Sequence, residues 1–207
     1  MQVAFFKLGI YETNCYVIYS EKARGKCLII DPAAEAGTLL YFMEKHQLTP
    51  EAILLTHGHY DHYLAVPKLQ EMWPELPVYC HPLDCPKELV EYEMGQAFPT
   101  VTAFKNVKPL SDKQILSLMG LEIQVLHTPG HTPGSVVFMA EDALFTGDTL
   151  FCQSIGRTDF KGGSTTDMAA SLKRLAALEK DYRVYPGHEE LSTLEAEKLY
   201  NPYLKLL

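Results

Sequence analysis

The chain has 207 residues, 47% of them hydrophobic and 21% charged, a composition that fits one globular domain over residues 1–207 with a core large enough to need no disulfides. Its net charge of −8 argues against broad docking on phosphate backbones, which needs clustered Lys and Arg, so no nucleic-acid partner is expected. The five cysteines are odd in number and irregular in spacing, which excludes a disulfide framework and suits a reducing cytoplasm.

The first residues carry neither a basic stretch nor a long apolar run, so no signal peptide is expected. No apolar run reaches spanning length, and no membrane partner is expected either. Short β-like runs open the chain at residues 3–8, 14–19 and 26–30, with turn chemistry at Gly9 and at Arg24-Gly25. Asp31-Pro32 ends the third run, and residues 33–46 show helical spacing. Residues 52–56 read as a buried strand running into His57, and residues 64–73 as a helix in which Pro67 is tolerated only near the first turn. Residues 78–80 form a short strand. The nearby Cys80, His81 and Cys85 lack a second ligand pair, so they read as a strand end rather than a zinc knuckle.

A helix is expected over residues 87–94, followed by an irregular stretch at 95–109 that suits a loop over a site. Residues 114–118, 121–126, 135–140 and 143–146 read as strands of an antiparallel sheet. Ser164 and Asp167 resemble a capping box ahead of a helix at 168–178. Residues 183–185 read as the last strand, and 191–200 as a final helix stopped near Asn201-Pro202. Two β-rich halves with helices imply a sheet-on-sheet core with helices outside, an α+β arrangement.

The chemistry concentrates in Thr56-His57-Gly58-His59-Tyr60-Asp61-His62. Three imidazoles and a carboxylate crowd one turn after a buried strand, and the chain has only eight histidines. Neutral imidazole nitrogens and carboxylate oxygens suit Zn²⁺, and also Fe or Mn. Four such donors in one turn fit two neighbouring ions better than one. Three later turns each place a donor directly after a glycine and a strand-like run: Gly130-His131, Gly147-Asp148 and Gly187-His188.

This order, HxHxDH followed by glycine–histidine, glycine–aspartate and glycine–histidine, resembles the metallo-β-lactamase superfamily over nearly the whole chain. Thr128-Pro129-Gly130-His131-Thr132-Pro133-Gly134-Ser135 and Ser154-Ile155-Gly156-Arg157-Thr158-Asp159-Phe160 resemble its hydroxyacylglutathione hydrolase (glyoxalase II) branch, in particular the short bacterial members. The resemblance implies a four-layer αβ/βα sandwich and two divalent metal ions, with Zn the first expectation. It implies that His57, His59 and His131 hold one ion, that Asp61, His62 and His188 hold the other, and that Asp148 bridges them. It also makes Asp61 the catalytic residue that orients a bridging hydroxide.

The chain departs from the family in two places. Tyr63-Leu64-Ala65 stands where many members carry a small pair, and Tyr63 reads as packing under the following helix ahead of reshaping the pocket beside the metals. Long glyoxalase II forms carry a C-terminal helical domain that helps bind glutathione, whereas nineteen residues follow His188 here, so a weak grip on glutathione is expected. Asp31 is weighed equally as a turn former and as a residue orienting a metal-binding histidine. Arg157 reads as the partner of Asp159 ahead of a substrate clamp. His46, His81 and His127 read as structural or exposed. Tyr11, Phe98 and Phe151 are candidates for a substrate mouth.

The expected activity is hydrolysis of small acyl thioesters such as S-lactoylglutathione. A thiolate leaving group needs little protonation, which suits a site with no acid outside the metal cluster. An iron-dependent persulfide dioxygenase of the same fold shares the Gly-Arg-Thr-Asp-Phe stretch and is the alternative. A metal-bound redox or sensor protein without hydrolase activity is a further one.

Overall fold

The computed structural model describes residues 1–85 and 105–207. The helix expected at 87–94, Phe98 and most of the loop expected at 95–109 lie outside the described residues. The end of that loop is not irregular, because Val107–Pro109 forms a strand.

The first half builds one sheet. Strands β1 (Gln2–Leu8), β2 (Thr13–Tyr19) and β3 (Lys26–Ile30) are antiparallel neighbours. β4 (Thr49–Leu54), β5 (Val78–Cys80) and β6 (Val107–Pro109) then add in parallel. Parallel neighbours need crossovers. Helix α1 (Ala36–Lys45) supplies the one between β3 and β4, and α2 (Val66–Met72), with Pro67 in its first turn, the one between β4 and β5. Helix α1 starts later than its spacing predicts, since Asp31 and Glu35 both take positive φ, 48° and 49°, and hold the chain out of the helix until Ala36.

The second sheet has six strands, and their order across it follows their order in the chain. Strands β7 (Ile115–Leu118), β8 (Leu121–His127), β9 (Val136–Ala140) and β10 (Ala143–Gly147) form the antiparallel meander expected of them. After α3 (Thr165–Ala176), β11 (Arg183–Pro186) joins β10 in parallel. Ser164 caps α3 by accepting a hydrogen bond from the Asp167 N–H at 3.2 Å, so the helix starts at Thr165, ahead of the expected residue 168. Two elements go beyond the sequence reading. β11 is followed by the two-residue strand β12 (Ser192–Thr193), too short to show alternation. Helix α4 (Leu194–Tyr200) is followed by a further turn, α5 (Pro202–Lys205). The Asn201 carboxamide oxygen accepts from Tyr203 N at 3.0 Å, and Pro202 occupies the first turn, where its missing N–H costs nothing.

Period-two alternation sorts the strands of the second sheet between two cores. Ile123, Val125, Val136, Phe138, Ala143, Phe145 and Tyr185 join the large core shared with the first sheet. Tyr16 of β2 meets Phe145 and Tyr185 there, each at a ring separation of 5.4 Å. Leu126, Val137, Leu144 and Val184 point the other way, onto Met168, Leu172, Leu175, Leu194 and Leu204 of α3, α4 and α5. On the far side of the first sheet, Cys27 touches Met43 of α1, sulfur to sulfur, at 3.6 Å. The result is an α+β sandwich of four layers, helix–sheet–sheet–helix. Its strand ends bring four loops to one edge: the turns after β4, β8, β10 and β11.

Candidate metal centre

All seven expected donors meet at that edge. His57, His62, His131 and Asp148 are buried, while His59, Asp61 and His188 are partly exposed. His57 Nε2 lies 3.1 Å from His59 Nδ1, which lies 2.8 Å from His131 Nε2. Asp61 Oδ2 lies 3.6 Å from His62 Nε2 and 3.4 Å from His188 Nε2. Asp148 stands between the two groups, with Oδ2 3.4 Å from His131 Nε2 and 3.6 Å from His188 Nε2, and Oδ1 3.5 Å from His62 Nε2. Donors about 2.0–2.1 Å from one cation in a tetrahedron stand about 3.3 Å apart, and these separations bracket that edge length.

The hydrogen bonds behind the donors aim them. Asp31 accepts from the Thr56 N–H at 2.8 Å and hydroxyl at 2.6 Å, and its Oδ2 lies 2.9 Å from His62 Nδ1. The Thr56 hydroxyl, having given its proton to Asp31, can accept from His57 Nδ1 at 3.1 Å. His131 Nδ1 faces the Arg157 carbonyl oxygen at 2.7 Å, and His188 Nδ1 the Tyr11 carbonyl oxygen at 3.2 Å. An acceptor at Nδ1 fixes the tautomer that leaves the Nε2 lone pair free, so four rings offer Nε2 to the interior and His59 offers Nδ1. The Thr13 hydroxyl donates to Asp61 Oδ2 at 2.9 Å. His62 Nε2 and Asp148 Oδ1 are buried with no hydrogen-bond partner among the described residues. Such orphans are costly unless something else occupies their lone pairs. The donor set and its geometry therefore fit a metal.

Electrostatics agrees. Burial, aided by the neighbouring imidazoles, pushes His57 well below the usual histidine range, and burial with His131 pushes His59 down to about 4. These rings stay neutral and keep their lone pairs. Burial opposes charge on His62, but Asp61, Asp148 and Asp31 together outweigh it and push it up to about 10. Burial likewise opposes ionisation of Asp61, yet His62, His188 and Thr13 hold its carboxyl well below the usual range. The three carboxylates thus favour positive charge at the place of the His62 ring.

The flanking residues resolve as follows. Asp31 is the orienting carboxylate. Tyr63 is 2% exposed and packs in the core, as expected. Both nitrogens of the Arg157 edge bond Asp159 at 2.7 Å, and the guanidinium covers the Phe160 ring at 4.0 Å. That ion pair was the favoured reading. His81 and His127 stack on each other with ring centres 4.3 Å apart. At the mouth, Tyr11 pairs with Tyr60, hydroxyl to hydroxyl, at 3.1 Å. Phe160 stands edge-on to His59 at 5.6 Å, and Phe151, 8% exposed, lies edge-on to His188 at 6.0 Å.

Sequence reasoning missed Thr13, Thr56 and Asp84. Thr13 adjoins an expected strand, and Thr56 opens the donor motif at an expected strand end, but neither carries a local signal for its contact with Asp61 or Asp31. Asp84 sits in an unpatterned Leu-Asp-Cys stretch, yet it binds two of the donor loops. Its Oδ2 accepts from the Gly58 N–H at 3.0 Å and from the Thr132 hydroxyl, and its Oδ1 accepts from the Gly134 N–H at 2.7 Å. A Cβ at Gly58 would collide with the Asp84 carbonyl oxygen, and one at Gly134 would stand 2.5 Å from Asp84 Cγ. Both glycines are therefore required by this close approach.

The metallo-beta-lactamase superfamily model matches residues 8–188. An uncharacterized protein of Mycobacterium bovis is 38% identical, with 99% of this chain and 98% of that protein covered. A hydroxyacylglutathione hydrolase of Xylella fastidiosa is 42% identical over 167 residues, which span 80% of this chain and 56% of that enzyme. Among solved structures, the B3 metallo-beta-lactamase BLEG-1 superposes with a TM-score of 0.85 at 35% identity, covering 98% of this chain and 99% of that one. A di-iron-bound form of TTHA1623 superposes with 0.84 at 40% identity, covering 98% and 100%. ETHE1 from Myxococcus xanthus superposes with 0.79 at 28% identity, covering 98% and 84%.

Proposed function

The chain belongs to the metallo-beta-lactamase superfamily, and from that premise we propose that it is a binuclear metallohydrolase cleaving small acyl thioesters. The observation that carries the reading is the division of seven donors into two groups that share Asp148. His57, His59 and His131 would hold one divalent ion, Asp61, His62 and His188 the other, and Asp148 would bridge them. The ligand set contains no Cys and accepts Zn, Fe or Mn, with Zn our first choice. Two divalent charges, the carboxylates of Asp31, Asp61 and Asp148 and one hydroxide leave this buried cluster near neutral, which favours two ions over one.

Two bound ions would supply a hydroxide at neutral pH and polarise the substrate carbonyl. The chain's own contribution is aim. Asp61, tethered by Thr13, faces both His62 and His188 and orients the nucleophile. Asp148 stands between the two groups, within 3.4–3.6 Å of His62, His131 and His188. Thiolate departure needs no strong acid, and the described residues offer none at the centre outside the donors. Tyr11, Tyr60 and Phe160 would shape the acyl end of the mouth.

Elemental analysis of native protein is expected to give two ions per chain. A single ion at full occupancy would overturn the bridged arrangement. Loading should weaken as pH falls. An ion at the second position must displace the His62 proton, which is held up to pH about 10, so protons compete better the more acidic the solution. Calorimetry in buffers of different ionisation enthalpy would read the proton released near pH 7. Metal uptake without proton release would contradict the charge reading.

Glutathione itself is expected to be gripped poorly. Arg157, the cation beside Phe160 at the mouth, is already held by Asp159 and that ring. S-lactoylglutathione and a lactoyl thioester of a minimal thiol should therefore have comparable kcat/KM at matched metal loading. Strong preference for the glutathione ester by a monomer would defeat this expectation. The likeness to ETHE1 and to a di-iron form keeps one second reading, the iron-dependent persulfide dioxygenase. Oxygen uptake with a persulfide, and no thioester cleavage, would establish that reading in place of ours.

A further inference from the structure

We infer that Asp84 is a positioning residue for one metal position only, the one formed by His57, His59 and His131, and that it sets the affinity of that position independently of the other. The inference rests on the assignment of donors proposed above, but not on the substrate, and holds equally for a thioester or a persulfide.

The side-chain hydrogen bonds of Asp84 all fall on one position, although Asp31 serves both through Thr56 and His62. Gly58, whose N–H bonds Asp84 Oδ2 at 3.0 Å, lies between His57 and His59. Thr132, whose hydroxyl bonds the same oxygen, directly follows His131. Gly134, whose N–H bonds Oδ1 at 2.7 Å, closes the His131 loop. One carboxylate from the turn after β5 thus locks together the two loops that carry all three histidines of the first group. The Thr132 hydroxyl also lies 2.6 Å from Ser135 Oγ, which accepts from the Thr132 N–H at 3.2 Å, so the loop end that Asp84 grips is itself stiff. The second group is held elsewhere: His62 by Asp31, Asp61 by Thr13, and His188 by the Tyr11 carbonyl. No hydrogen bond from Asp84 reaches that group among the described residues.

An amide cannot replace the carboxylate. Each Asp84 oxygen accepts from a backbone N–H, so the NH₂ of an Asn would point its protons at one of them whichever way it turned. Without the lock, His59 and His131 lose the fixed 2.8 Å approach of their nitrogens. Loss of a partner behind a ligand typically costs about 10–100-fold in metal affinity.

The test is metal binding, read by chelator competition on Asp84→Asn, Thr132→Val, His59→Ala and His188→Ala, singly and in pairs with Asp84→Asn, together with thermal unfolding of each metal-free protein. Asp84→Asn should weaken one ion about 10–100-fold and leave the other unchanged. Thr132→Val, which removes one bond and keeps the side-chain shape, should weaken the same ion less. Added to His59→Ala, Asp84→Asn should cause no further loss. Added to His188→Ala, it should cost most of the remaining ion, because the two changes then strike different positions. Unchanged affinity for both ions in Asp84→Asn would overturn the inference. Equal weakening of both, with a lower metal-free melting temperature, would make Asp84 a general structural residue and overturn it too. If Asp84→Asn does not fold, Thr132→Val alone still decides whether the effect falls on one ion or on both.

Discussion

Asp61→Ala is expected to lower kcat at least about a hundredfold while KM changes far less, the loss typical of a group acting on the transition state. The carboxylate is placed for that role by three neighbours: Thr13 at 2.9 Å, His188 at 3.4 Å and His62 at 3.6 Å. Removing it takes a donor from one position and the orienting group from the nucleophile together. The measurement is steady-state kinetics on a thioester with metal content determined on the same sample. Near-normal turnover at full loading would show that Asp61 neither binds nor aims. Thr13→Val should reproduce a fraction of the loss, since it leaves the carboxylate and removes only its tether.

Gly187→Ala should be nearly as damaging, although the change is a single methyl group. A Cβ there would collide with Asp148 Oδ1 and stand 2.8 Å from His62 Cε1. The backbone cannot retreat, because the Gly187 N–H donates to the Gly147 carbonyl at 2.8 Å and the Gly187 carbonyl accepts from the Asn14 N–H at 2.7 Å. The methyl must therefore displace Asp148 or His62, and displacements of about 1 Å in such sites cost on the order of a hundredfold in rate. Activity and metal stoichiometry should fall together. Full occupancy with normal kcat would mean that the loop yields more easily than its hydrogen bonds imply.

The clustering of the seven His and Asp side chains was legible in the sequence because the fold confines them to loops directly after strands, where a glycine precedes each of the three late ones and period-two runs mark the strand before it. Asp31 was legible only as an even choice, since an Asp-Pro at a strand end serves a turn and a histidine equally well. Asp84 and Thr13 were not legible, because each acts through one side chain meeting a loop far away in the chain, and such a meeting leaves no period in the local sequence; Thr56 stood in the donor motif, but nothing local marked its contact with Asp31. The parallel pairing of β11 with β10 was hidden for a similar reason. β11 is buried on both faces, with Val184 and Tyr185 in different cores, and its four residues are too short a run to mark the direction of a neighbour. Tyr63 was read correctly as packing, because a bulky aromatic at the start of a helical run has a core to enter.

The bonds between the two sheets at the centre also bear on how the protein is made. Tyr16 gives its hydroxyl proton to the Pro186 carbonyl at 2.6 Å across a separation of 170 residues, and the Thr56 carbonyl receives the Val136 N–H at 2.8 Å. On a ribosome adding about 5–20 residues per second, the His57–His62 loop waits on the order of ten seconds before His188 emerges. During that interval its imidazoles and carboxylate lack their partners from the later loops, and any ion they met would be taken by intrinsic affinity, in the order that places copper above zinc. Only when the last loop docks onto Tyr16 and Asn14 does a rigid cage exist that can choose by geometry. If the site holds ions, nascent-chain handling, as much as the finished site, would bear on which ones it takes.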